Sequence, residues 1–385
     1  GISKRLLQSI TSLEYRGYDS CGMATHFDGS IEVRKNIGTV ESVNLKEDFL
    51  QMSGCIGIAH TRWATHGDVS KRNAHPHTDN RNHLAIVHNG IISNYNELRE
   101  ILIKDGITFQ SDTDSEVIAH MISSLQERER LDFETSFVKA LSEIQGSFAI
   151  AVISINIPGT ILCAKKGSPL SIGLGEGTNF IGSDFNAFLP FTQSSIILDD
   201  GEYALVNERE CIIKKTSNCK QIKKKVTEIP WEASMSDRGA FSHFMLKEIY
   251  DQPSTIKSAL EIPRKELSGF ASFIDSSSEC FVAGVGTTFY VASLGQYFFN
   301  DISDFFMPAI STDEFVHLIK PGPKSSLIVI SQSGETFDTL NAVAYAKKNN
   351  VKIGAIVNVM GSTLVRTVDK CIMQGAGPEV SVIST

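Results

Sequence analysis

The chain has 385 residues, a net charge of −8 and a pI near 5.7, with 42% hydrophobic and 21% charged residues. This length exceeds what one core usually spans, so two or three globular domains are expected. There is no basic surplus to neutralise phosphates, which excludes broad nucleic-acid binding, and no run is long and apolar enough to suggest a membrane partner. From the amino end, residues 2–13 place Ile2, Leu6, Leu7, Ile10 and Leu13 on one helical face. Short β-rich runs follow at CIGIAHTRW (55–63), LAIVHNGII (84–92), SFAIAVISI (147–155), TILCAKK (160–166) and NFIGSD (179–184). Helical patterns lie between them at NELREILIKDG (96–106) and at SEVIAHMISSLQERER (115–130), the latter opening on a capping-type SDTD. Strands and helices in separate batches point to an α+β sandwich over residues 1–230. The basic run from Lys214 to Lys225 reads as a solvated hairpin.

A polar stretch after Trp231 and the helical segment FSHFMLKEIYDQP form a linker and lead-in over 231–262. A second domain then occupies 263–385. Its period is strict: strand CFVAGVG (280–286), helix 287–299, strand SLIVIS (326–331), helix 336–350, strand IGAIVN (353–358) and a helix from near Ser362. Such βαβ repetition predicts an open, doubly wound parallel sheet. Seven cysteines (Cys21, Cys55, Cys163, Cys211, Cys219, Cys280 and Cys371) are scattered without a CxxC pair. They suit free thiols in a reducing compartment, so a cytoplasmic location is expected.

Two stretches of the second domain carry chemistry. Ser331-Gln332-Ser333-Gly334-Glu335-Thr336 follows an apolar strand and opens a helix. Free N–H groups and the helix dipole make such a turn an anion site, and the hydroxyls of Ser331, Ser333 and Thr336 add donors. No lysine is present, so a Walker loop is excluded. The alternative is a plain Ser/Thr cap on a buried helix. Gly284-Val285-Gly286-Thr287-Thr288 is the companion turn. It lacks the third glycine of a dinucleotide fingerprint, which ranks a sugar phosphate above a nucleotide. With GxGTT one unit before SQSGET, this half resembles the sugar isomerase (SIS) domain, whose members bind phosphosugars, and residues 379–385 resemble the third ligand loop of that family.

In the first half, LEYRGYDSCGMA (13–24), HTRWATHG (60–67), HNGIISNY (88–95) and SDTDSEVIAH (111–120) resemble the glutaminase domain of amidotransferases of the N-terminal nucleophile (Ntn) class. The domain order is similar to that of the glutamine:fructose-6-phosphate aminotransferase family. That resemblance implies an αββα Ntn sandwich followed by a flavodoxin-like SIS domain. It implies that Arg62, Thr65, His66 and Asp114 hold glutamine, that Trp63 shields the ammonia path, and that Asn89 and Gly90 form an oxyanion hole. Thr287, Ser331, Gln332, Ser333, Thr336, Val382 and Ser384 would take the sugar phosphate. The implied reaction yields glucosamine 6-phosphate and glutamate without metal or organic cofactor, in a homodimer or larger homo-oligomer of the full-length form. Arg62 suits a carboxylate because its planar fork grips both oxygens, whereas Asp114 also reads as a helix cap.

The nucleophile of that class is an amino-terminal cysteine whose own amine serves as base. The chain opens at Gly1-Ile2-Ser3, which reads as the inside of the family's first helix. It ends within the third ligand loop. Glutaminase and isomerase activity are therefore not expected of these 385 residues alone, and a catalytically dead phosphosugar-binding protein is the competing reading. A phosphoribosyl-type amidotransferase is disfavoured by SQSGET, where an acidic diphosphate loop would be needed. Cys21 and Cys55 are expected to be buried and structural, His60 and His88 buried and hydrogen-bonded, and Arg16 paired with Asp19. His75-Pro76-His77 offers two zinc ligands without a familiar third.

Overall fold

The computed structural model describes residues 1–64, 67–229, 239–322, 324–377 and 379–381. The chain divides into two compact units, Gly1–Ala233 and Ser234–Thr385.

Unit 1 is a layered sandwich. A seven-stranded sheet runs in the order Gln221–Ile222, Cys211–Lys215, Glu202–Val206, Ile161–Lys166, Gly146–Ser154, Leu84–Ile92, His77–Thr78. Every neighbouring pair in it is antiparallel. One face packs on the helices Tyr95–Lys104, Glu116–Glu129 and Phe133–Glu143 through Leu84, Ile86, Ile118, Ile122, Phe137 and Ile150. Strand side chains alternate between faces, so Ala85, Ala149, Ala151 and Ile153 turn the other way. There they meet Ala24, Ile58, Ile172 and Ile196 from two smaller sheets. Those sheets are Ser30–Ile37, Ser20–Phe27, Ile56–Arg62 and Thr227–Glu228, Ser194–Ile197, Ser171–Gly175, Thr178–Gly182. The helix Ile2–Thr11 buries Ile10 against Cys21, Met23, Val43 and Phe49. This is the expected Ntn-type helix–sheet–sheet–helix order.

The basic run is a hairpin, as expected, but its lysines are not bare: Lys214 pairs with Glu134 at 2.7 Å and Lys215 with Glu202 at 2.8 Å. Cys55 departs from expectation. It sits exposed just ahead of the strand Ile56–Arg62, because the pattern that buries Ile56 and Ile58 ends at the strand's first residue.

Unit 2 carries a five-stranded sheet in the order Ala309–Ser311, Glu279–Gly284, Ser325–Ser331, Lys352–Val357, Lys370–Met373, parallel throughout. In chain order this is 2-1-3-4-5, the flavodoxin-like doubly wound arrangement. Phe281, Val329, Ile353 and Val357 pack on one face, and Val282, Ile328 and Ile372 on the other. The order reverses between Glu279–Gly284 and Ser325–Ser331. The crevice beyond their carboxyl ends is where such sheets hold ligands. The helical lead-in runs to Leu260, past Pro253.

Candidate functional site

In unit 1 two strands and one turn deliver polar side chains to a cavity of about 340 Å3. The strand Ile56–Arg62 brings His60 and Arg62, which are two residues apart and so share a face. The strand Leu84–Ile92 brings His88, Asn89 and Gly90. The turn before Glu116–Glu129 brings Thr113, Asp114 and Ser115.

Arg62 is 4% exposed. It donates to the carbonyls of Gly67 at 3.3 Å and Asp68 at 3.4 Å. Burial lowers its pKa, while the nearby carboxylates of Asp19 and Asp114 draw it back; a guanidinium stays charged all the same. Asp114 is equally buried. Its Oδ2 accepts the Ile92 N–H at 2.8 Å, and its Oδ1 accepts the Ser115 hydroxyl at 3.3 Å. It does not cap the helix that follows, where Ser115 occupies the N-cap without a side-chain bond to the helix N–H groups. The first helical residue does that work in reverse. Glu116 folds back to accept the N–H groups of Gln110 at 2.8 Å and Ser111 at 2.6 Å, and it pairs with His120 at 3.1 Å. Burial alone would raise the Glu116 pKa; the hydrogen bonds from His120, Gln110 and Ser111 outweigh it and hold it at about 2. Glu116 thus pins the turn that presents Asp114, a role its place in the sequence did not advertise.

Gly90 has φ +134°, and a Cβ there would lie 2.1 Å from the Ser147 carbonyl oxygen of the neighbouring strand. Only glycine fits. Asn89 lines the cavity and accepts a hydrogen bond from His60 Nε2 at 2.8 Å. Trp63 stands 58% exposed at the rim, its ring edge-on to Tyr18 at 5.5 Å. Thr65 and His66 lie outside the described residues.

His60 and His88 are hydrogen-bonded as expected, His88 Nδ1 to the Ser115 hydroxyl at 2.9 Å; His88 is buried as expected, whereas His60 is only half-buried. The His60 ring stacks on His75 at 4.2 Å, and His75 meets His77 edge-on at 4.5 Å. Burial lowers the pKa of all four imidazoles, that of His60 to about 4. Among the described residues no three His, Cys, Asp or Glu side chains are placed to hold a metal. Arg16 and Asp19 do not form the expected pair. Arg16 donates to the Ser183 carbonyl at 3.0 Å with Asp184 3.9 Å away, and Asp19 accepts the Ala64 N–H at 2.9 Å. The segment just after the strand Ile56–Arg62 offers Asp19 this backbone donor. Cys21 is buried, which with the Glu14 carboxylate pushes its thiol up to about 12. Among the described residues no cysteine lines the cavity.

In unit 2 the two turns picked out in the sequence sit at adjacent strand ends, where the strand order reverses. Ser331 Oγ accepts the Gly334 N–H at 3.0 Å, and Ser333 Oγ accepts the Glu335 N–H at 3.2 Å. Gly334 has φ +65°, with Ser362 packed where a Cβ would go. Thr336 is the N-cap of the helix Phe337–Lys348 yet makes no side-chain cap bond, unlike the plain cap that was the alternative. Gln332 accepts the N–H groups of Asn358 and Val359 through its carbonyl, each at 3.2 Å. Thr287 is exposed and opens the helix Thr287–Ser303; beside it Thr288 Oγ1 accepts the Val285 N–H at 3.0 Å. Val382 and Ser384 lie outside the described residues.

Two further residues escaped sequence reasoning. Asn358 donates to the Gly377 carbonyl at 2.7 Å and accepts the Ala376 N–H at 2.9 Å, fixing the loop after the last strand. Glu248, buried in the helix Phe244–Leu260, accepts the N–H groups of Val380 at 2.6 Å and Ser381 at 3.0 Å, and also the Ser381 hydroxyl. No local pattern marks Glu248, because its partners lie 132 and 133 residues further along the chain.

Comparison with known proteins agrees with both halves. A family profile described as a glutamine amidotransferase domain matches residues 60–190, and one described as a SIS domain matches residues 273–385. The chain is 39% identical over 393 residues to the glutamine–fructose-6-phosphate aminotransferase (isomerizing) of Methanococcus maripaludis, covering 100% of this chain and 65% of that one. It is 40% identical over 388 residues to the protein of the same name from Pyrococcus horikoshii, covering 99% and 64%. The chain thus spans just under two thirds of the length of these relatives. Among solved structures, the glutamine phosphoribosylpyrophosphate amidotransferase of B. subtilis aligns with a TM-score of 0.50 at 17% identity, over 92% of this chain and 78% of that one; the likeness is one of fold. By sequence, this chain carries a glutamine amidotransferase domain followed by a SIS domain and, over nearly its whole length, is similar to proteins named glutamine–fructose-6-phosphate aminotransferase.

Proposed function

We propose that the chain is the glutamine-binding and phosphosugar-binding part of an enzyme that moves the amide nitrogen of L-glutamine to fructose 6-phosphate, giving glucosamine 6-phosphate and glutamate. One observation carries this reading. A single cavity presents a buried cation, Arg62, and a buried anion, Asp114, together with Asn89 and Gly90. A free amino acid needs that pair of charges for its carboxylate and ammonium, and its side-chain amide would then reach Asn89 and Gly90. A cysteine thiolate attacks the glutamine Cδ, charge builds on the amide oxygen, and the Asn89 amide and Gly90 N–H stabilise it. Ammonia leaves, and water hydrolyses the thioester to glutamate. Trp63, Thr65 and His66 complete the glutamine site.

The ammonia is delivered to fructose 6-phosphate, held by Thr287, Ser331, Gln332, Ser333 and Thr336, with Val382 and Ser384 closing the phosphate. The backbone N–H groups at this helix start suit a phosphate without any lysine. The residues present call for no metal or organic cofactor in these steps. A cytoplasmic homodimer or larger homo-oligomer accompanies this reading for the full-length form.

Calorimetry tests it. The chain is expected to bind L-glutamine and fructose 6-phosphate independently, with Arg62→Ala abolishing only the first and Ser331→Ala weakening only the second. Absence of glutamine binding refutes the glutaminase half. The competing reading, a catalytically dead phosphosugar-binding protein, draws on the lack of a cavity cysteine among the described residues. Glutamate release by the chain extended upstream to an amino-terminal cysteine separates the two, since a dead protein stays silent.

A further inference from the structure

His60 is committed to a partner that the proposed chemistry needs. Its Nε2 lies 2.8 Å from Asn89 Oδ1. An amide oxygen only accepts, so the proton of this bond belongs to the imidazole. Its other nitrogen, Nδ1, is buried with no hydrogen-bond partner. A proton placed there would be an orphaned buried donor, so the surroundings select the Nε2–H form. The ring plane is fixed by stacking on His75, 4.2 Å away with 23° between planes. Room for this stack comes from Gly22, directly opposite His60 in the adjoining strand, where a Cβ would meet the His75 carbonyl at 2.3 Å.

We propose that His60 is a positioning residue: its Nε2–H holds the oxygen edge of the Asn89 amide, so that the nitrogen edge, with its two N–H groups, faces the cavity. The inference rests on the reading of Asn89 as an oxyanion donor. An asparagine amide otherwise presents either edge, and with its oxygen toward the substrate it would repel the developing negative charge. His60 removes that choice before substrate arrives, and preorganisation of this kind is what makes such donors effective. As a neutral donor, His60 does so without placing a second positive charge beside Arg62.

The test uses the chain as it stands. Long-range 1H–15N spectra of histidine-labelled protein should show His60 as the Nε2–H tautomer at neutral pH. The Asn89 side-chain amide pair should appear as two distinct signals. Their chemical shifts should move in His60→Phe, which keeps an aromatic ring at the stack but loses the donor, and move back toward wild type in His60→Gln, which restores an N–H. An Nδ1–H tautomer, or Asn89 signals unchanged in His60→Phe, overturns the inference. If His60→Phe does not fold, the wild-type tautomer and the His60→Gln spectrum still decide. Titration with L-glutamine separates this result from the parent reading. If glutamine leaves the Asn89 signals unmoved while the tautomer is as stated, the oxyanion reading fails and the positioning contact stands.

Discussion

The two sites proposed for this chain would recognise charge in opposite ways. The cavity of unit 1 uses whole ionised side chains, Arg62 and Asp114, both taken out of water. The crevice of unit 2 has no lysine or arginine in its Ser331–Thr336 loop and relies on hydroxyls and backbone N–H groups at a helix start. The difference follows from what each would hold. An amino acid carries two opposite charges at fixed spacing, and two fixed side chains of opposite sign read both at once. A phosphate is compact and symmetric, and a turn of N–H groups surrounds it without specifying a direction. On the proposed reading, one site depends on desolvated charge and the other on local backbone shape.

The sharpest break of that comparison is steric. Gly90→Ala forces a Cβ to within 2.1 Å of a backbone oxygen at φ +134°. It should destabilise unit 1 by about 3 kcal/mol or more, read as a lowered melting temperature with glutamine binding lost. Gly334→Ala meets side-chain rather than backbone atoms, Ser362 Oγ at 2.1 Å, Ser362 Cβ at 2.7 Å and Val357 Cγ1 at 3.0 Å, at φ +65°. There the stability loss should be smaller, and fructose 6-phosphate affinity should fall more than tenfold.

Next comes charge. Arg62→Ala should cost glutamine binding about 2–5 kcal/mol, and Arg62→Lys should recover only part of it, because a point charge lacks the fork. Equal binding in calorimetry for the lysine variant would show that charge alone suffices.

Acid should separate the units. Burial depresses the imidazole pKa values of His60 (to about 4), His75, His77 and His88 below the usual 6.5. The unfolded chain then binds more protons between those values, so their contribution is full above 6.5 and is lost as pH falls through 4. Glu116, held at about 2 against 4.5 unfolded, extends the loss at lower pH. Differential scanning calorimetry at pH 7 and pH 5 should show the unit 1 transition dropping by about 5 °C or more. The unit 2 transition should move less.

The smallest expected effects are in the crevice. Ser331→Ala and Ser333→Ala should each cost about 1 kcal/mol, roughly fivefold in phosphosugar affinity, because the remaining N–H groups share the load.

What the sequence disclosed follows the same division. In unit 2 the site is local: strand, turn and helix are contiguous, so SQSGET and GVGTT were legible as a cradle before any contact was known. In unit 1 Arg62, Asn89 and Asp114 were identifiable through motif resemblance, but their support was not. The His60–Asn89 bond joins residues 29 apart in the chain. It depends on how two strands of different sheets face each other, which periodicity does not encode. Arg16 and Asp19 misled for the same reason: sequence neighbours make the obvious pair until segments from elsewhere in the chain supply other partners. The helix through Pro253 shows the limit of a local stop signal, since a proline forfeits one backbone hydrogen bond and yet the helix runs on to Leu260.

Glu248 has a consequence for how the protein is made. It binds Val380 and Ser381 across a separation of 132 and 133 residues. At ribosomal rates of about 5–20 residues per second, its partners emerge on the order of ten seconds after it does. Until then the carboxylate has only water to accept from, and the helix that carries it has no carboxyl-terminal loop to grip. Among the contacts described in unit 2, this clasp is therefore one of the latest that synthesis permits. A nascent chain halted short of residue 380 should expose this helix to protease, while unit 1, wholly emerged, is already protected.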